Sequence, residues 1–197
     1  MSKLEAVNEM LLAIGQAPVN TLEVAGIRDV SVASLILDNV SRECQSEGHS
    51  FNTFAEKSAP DTNGFINVPA DALSIDTVEG WRWDVIPMVD PQDNRNKLFD
   101  RKRRTFVFPE AVEVEVVKLL PFDRLPQHAR RYILALAKLR FQASVVGSSM
   151  LNALIEQEVG MAYANFRKVE LHQQDNNMLT GNPTIINRNR HRLRRYS

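Results

Sequence analysis

At 197 residues the chain is long enough to bury one substantial core, and its 24 Lys+Arg balance 24 Asp+Glu, which argues against a protein whose whole surface wraps nucleic acid. A single cysteine, Cys44, excludes an internal disulfide and any cysteine-based metal cluster. The opening MSKLEAVNEM has neither the apolar core nor the small-residue cleavage site of an export signal, so the chain is expected to act where it is synthesised.

Ser2 followed by Glu5 is a capping box, and Leu4, Val7, Leu11 and Ile14 form one apolar stripe that Gly15 and Pro18 bring to an end. A second helix is expected from Asp29 to Glu47, burying Ala33, Ile36, Leu37, Val40 and Cys44 and capped by Gly48. Cys44 sits on that stripe as an inert core thiol, with no cation close to it in sequence.

From Phe51 to Leu120 the pattern changes to short runs: FNTF, FINV, ALSIDTV, WRWDVIPMV, KLF, TFVF and VEVEVVKLL. Turn residues at Asn63-Gly64, Asp90-Pro91 and Pro109-Glu110 separate them, which predicts an antiparallel sheet inserted between helices two and three. In VEVEVV, Val112, Val114 and Val116 face one way and Glu113 and Glu115 the other, the pattern of a half-buried strand rather than of a catalytic carboxylate pair. Trp81 and Trp83 share a face, as packing for the insertion or as a platform for a sugar or base. Arg101, Lys102, Arg103 and Arg104, with Arg95 and Lys97 nearby, make a basic turn that reads as a solvated loop or as a contact for an acidic partner or DNA phosphates.

The third helix, Pro126 to Val146, is apolar over most of its circumference, with Gln127, Arg131, Lys138 and Gln142 along one polar line. Arg130, Arg131, Lys138 and Arg140 interrupt it, and no run of about 20 uncharged apolar residues exists, so it is expected to be a central rod rather than a membrane span. Arg140 falls among apolar positions, which calls for an internal ion pair or a contact with a neighbouring subunit. Gly147, Ser148 and Ser149 end this rod and start a fourth helix, whose stripe of Leu151, Ile155, Val159, Ala162, Phe166 and Val169 runs to about His172 and folds back as an αα-hairpin.

Beyond Asp175 no acidic residue remains, and the chain ends with Arg188, Arg190, Arg192, Arg194 and Arg195. At period two the first four of these line one edge of an extended chain, and the segment reaches on the order of 75 Å. The expected organisation is α+β: a four-helix body from residues 1–50 and 121–175, a β-rich insertion over 51–120, and an extended basic arm over 176–197. No phosphate-binding loop, nucleophile elbow or zinc-ligand spacing occurs, so no catalytic, metal or cofactor site is expected.

The stretch AVNEMLLAIGQAPVNTLE, together with RECQSEGHSFNT and PFDRLPQHARRYILALAKLRFQ, resembles the tail tubular protein A family, the head-to-tail adaptor of short-tailed bacteriophages. His49 stands where that family commonly has an aromatic residue after the glycine that ends helix two. The resemblance implies a structural virion protein, made in the host cytoplasm, forming a twelve-subunit ring between the portal and the nozzle, tail tubular protein B, with fibres close by and DNA passing through. On that footing the terminal arginines are expected to bind acidic portal surface, and Arg101 to Arg104 to meet nozzle or fibre. Two other classes stay open: a nucleic-acid-binding module built on the basic arm, and an envelope-polymer hydrolase with Trp81 and Trp83 as its carbohydrate platform.

Overall fold

The computed structural model describes residues 1–23, 28–78 and 82–181, with 174–181 described through the backbone alone. Among these residues four α-helices and five strands follow in the order α1 (Lys3–Ala13), α2 (Arg28–Ser46), β1 (Thr53–Ser58), β2 (Ala72–Thr77), β3 (Val85–Val89), β4 (Asn96–Asp100), β5 (Val112–Lys118), α3 (Gln127–Val145) and α4 (Ser149–Gly181), with a single 3-10 turn, Phe122–Arg124, before α3. The chain divides into two compact units. One is Met1–Leu37 with the chain from Pro126 onward, and the other is Asp38–Leu125.

In the helical unit both halves of the capping box form, with the Glu5 N–H donating to Ser2 Oγ at 3.2 Å and the Ser2 N–H donating to Glu5 Oε2 at 2.7 Å. The third helix forms as expected; it packs against α1 and against α4, and buries Ala129, Ile133, Leu134, Ala135, Ala137 and Phe141. Its polar line faces solvent at Gln127 and Arg131 but not at its end, where Gln142 is fully buried and donates to the Ser148 carbonyl at 3.1 Å, tying down the turn into α4. Pro126 caps α3 from just outside with extended backbone instead of occupying its first turn. The fourth helix runs past its predicted end at His172 to Gly181, so residues 176–181, expected to begin an extended arm, are helical. A change in charge is not a stop signal; the first helix breakers after Asp175 are Gly181 and Pro183.

In the second unit the single expected sheet is two. One is three-stranded in the order β1-β5-β2, the other is the β3-β4 hairpin, and both are antiparallel. The FINV and TFVF runs contribute only isolated bridges, Phe65 with Val107 and Asn67 with Lys97 among them. Gly64 is needed where these runs meet: its φ is +83°, and a Cβ there would lie 2.8 Å from the Val107 side chain. Val112, Val114 and Val116 are buried with Ile66, Trp83, Leu98 and Phe108, while Glu113 and Glu115 are exposed, as the alternation requires.

The end of α2 belongs to this unit because two amides clamp it to the chain leaving β5. Gln45 donates to the Leu120 carbonyl at 3.0 Å and accepts from the Leu120 N–H at 2.7 Å. Asn52 donates to the carbonyls of Gln45 and Lys118 at 2.9 and 3.0 Å. Cys44 is buried as expected, but His49, which sequence proximity left out of account, places its ring nitrogen 3.9 Å from Sγ and 2.9 Å from the Cys44 carbonyl while stacking on Phe51.

Candidate interaction surfaces

The basic turn is built by one aspartate. Asp100 is fully buried, accepts from the Lys102 N–H at 2.9 Å and holds the Arg103 guanidinium at 2.8 Å, so it nucleates the loop that returns to Thr105. Burial alone would raise its carboxyl, but the Arg103 guanidinium and the backbone N–H groups of Arg103 and Lys102 outweigh that and hold it below 3.8. Arg103 also lies 4.2 Å over the Trp83 ring, and Arg101 is paired with Asp84 at 2.6 Å. Arg82 completes the arrangement by pairing with Glu110 and lying 5.9 Å over the same indole. The charge is therefore largely spent within the unit. Trp83 is 4 % exposed beneath it, which removes it as a sugar or base platform; Trp81 lies outside the described residues.

Arg104 differs from its neighbours. It is exposed, has no ion pair with a described residue, and sits at φ +53°, a left-handed conformation unfavourable for arginine. With Phe65, Pro91, Phe106 and Val107 it lines a shallow cleft of about 400 Å³. Arg104 is therefore the member of the predicted basic group best placed to meet a partner.

Behind that cleft is a network that sequence reasoning missed. Lys97, 3 % exposed, lies 2.7 Å from both Asp90 and Asp93, with its ammonium 3.9 Å from the Phe65 ring centroid. Its hydrogen bonds hold the Asp90 and Asp93 carboxyls below the ordinary aspartate value, and the two aspartates in turn raise Lys97. The one available signal was the Asp90, Asp93 and Lys97 spacing across a hairpin.

In the helical unit Lys138 is the cation at the junction, 3.2 Å from Glu9 on α1 and 3.0 Å from Glu158 on α4. Arg140 is exposed, and two residues earlier Lys138 carries the ion pairs that tie α3 to its neighbours. His128 meets the buried Glu170 at 3.3 Å beside the stacked Tyr132 and Phe166. Arg188, Arg190, Arg192, Arg194 and Arg195 lie outside the described residues. Among the described residues no group of three or more His, Cys, Asp or Glu is placed to hold a metal ion, and no helix is long and apolar enough to cross a membrane.

Among the described residues most of the clustered charge, Arg104 apart, has structural partners. Compared with known families, it matches the tail tubular protein family over residues 4–176. The chain belongs to that family. It is also 26 % identical to tail tubular protein A of Klebsiella phage KP34 over 134 residues, which are 68 % of this chain and 67 % of that relative. Tail tubular proteins are structural components of the phage tail, so this chain is a virion tail component that assembles with other phage proteins.

Proposed function

We propose that the protein is the head-to-tail adaptor of a short-tailed phage: a ring subunit, twelve to a ring, that joins the portal to the tail nozzle and leaves a channel for DNA during ejection. The carrying observation is the family match over residues 4–176, which reaches into both units. In this reading the helical unit supplies ring packing, with Arg140 exposed on α3 as a subunit contact. The unit containing the two sheets faces nozzle or fibre, with Arg104 and its apolar cleft as the contact. The terminal arginines Arg188, Arg190, Arg192, Arg194 and Arg195 hold acidic portal surface through guanidinium forks. Assembly then takes place in the host cytoplasm on the filled head, where portal contact offsets the cost of ordering the terminal segment.

The nucleic-acid reading loses one of its two supports, because Arg101 and Arg103 are committed to Asp84 and Asp100. Electron microscopy of portal-bearing heads mixed with the protein tests the proposal. A ring added at the portal vertex is the expected result; heads without it, or protein spread along released DNA, would overturn it.

A further inference from the structure

α4 carries two apolar stripes. The first, predicted from sequence, turns Ile155 and Phe166 inward, and they are 9 % and 1 % exposed. The second was not foreseen. Met150, Leu154, Met161, Ala164 and Leu171, with Gln157 and Lys168 between them, recur at alternating steps of four and three, the a/d spacing of a coiled-coil seam. This seam faces solvent: Met150 is 77 % exposed, Leu154 61 %, Met161 70 % and Leu171 50 %. An apolar stripe of that spacing is shaped to take another helix along its length.

We propose that in the free protein this seam is covered by the same seam of a second copy, the two α4 helices running antiparallel about a twofold axis. The sequence is self-complementary in that register. Leu154 meets Leu171 of the second copy, Met161 meets Ala164, and the two polar positions Gln157 and Lys168 meet each other. Charge chooses the direction. Glu156 and Glu158 lie in the first half of the seam and Arg167 and Lys168 in the second, so an antiparallel pair sets acid beside base, whereas a parallel in-register pair sets like beside like. Lys168 is placed beside Gln157 and Glu158 of the other copy, and Glu158, already 3.0 Å from Lys138, has its second carboxylate oxygen to offer. Gly160 borders the seam beside Met161, and a Cβ there would meet nothing within 4 Å, which lets a second helix approach closely.

A twofold contact uses the same patch on both copies and closes at two, so it does not propagate. It would hold free subunits as closed pairs until another surface displaces it. This inference is independent of the adaptor reading and is tested on the free full-length chain. Light scattering after size exclusion is expected to give twice the 22.3 kDa chain mass, falling to one chain for Leu154→Lys and for Met161→Lys with the far-ultraviolet circular dichroism unchanged. Direction is read by oxidising a mixture of Leu154→Cys and Leu171→Cys proteins. These positions lie about 26 Å apart along the helix, so disulfides should join the two variants to each other and not either to itself. A single-chain mass at every concentration, an oligomer indifferent to the lysine substitutions, or self-linked variants would each overturn the proposal.

Discussion

The two units dispose of their surface chemistry in opposite ways. The unit from Asp38 to Leu125 is rich in charge, yet it pairs much of that charge within itself: Arg101 with Asp84 and Arg103 with Asp100 at the surface, Lys97 with Asp90 and Asp93 beneath it. The helical unit has a deep core around α3 but leaves large apolar side chains on the outside, Met150, Leu154 and Met161 above all. A basic run is thus a poor guide to a binding surface when aspartates occur a few residues away. An exposed apolar stripe at helical spacing is a better one, because nothing within the unit compensates it.

The comparison can be broken most forcefully at the core. Phe141 on α3 is completely buried, so Phe141→Ala is expected to cost about 3–5 kcal/mol in denaturant unfolding, far more than any change on the outer seam of α4. An equal loss from Leu154→Ala would mean that the seam is part of the chain's own core. Next comes Asp100, whose replacement by alanine removes the acceptor for the turn and for Arg103. The cost is expected to be about 1–3 kcal/mol, with Arg103 freed toward solvent.

The Lys97 network makes a prediction in pH. A carboxyl lowered in the folded state contributes fully above its ordinary value of 3.8 and loses that contribution as pH falls through the folded value. The raised lysine contributes fully below 10.5 and loses it as pH rises through its own folded value. Asp90→Asn should therefore melt earlier than the parent at neutral pH, with the gap closing in acid below 3.8. A gap constant from neutral pH into acid would assign Asp90 a role other than ion pairing. The smallest effect is at Arg104, where Arg104→Gly relieves left-handed strain. It should leave stability unchanged or raise it by up to about 1 kcal/mol, while weakening any contact made through the cleft.

Local chemistry was legible in the sequence wherever it was short-ranged. The capping box, the alternation of Val112 to Val116 and the helix α3 follow from spacing alone, and each is present. What spacing could not supply were partners distant along the chain. Lys138 meets acids because Glu9 and Glu158 arrive from other helices, and Gln45 finds Leu120 across the whole insertion. The division of the insertion into two sheets was hidden for the same reason, since FINV and TFVF look like strands but pair only at single bridges. The second stripe of α4 was visible as a heptad but was masked by the stronger stripe beside it.

The central claim is that binding to the head is made by the terminal arginines and not by the basic turn. Co-sedimentation with portal-bearing heads, with naked duplex DNA as the control, tests it on the full chain, a version ending at Gly181, and a Lys102→Gln, Arg104→Gln variant. Binding to heads but not to DNA, lost on truncation and kept by the double variant, is the result expected. Binding that survives truncation but fails in the double variant, or that follows DNA instead of heads, would contradict it.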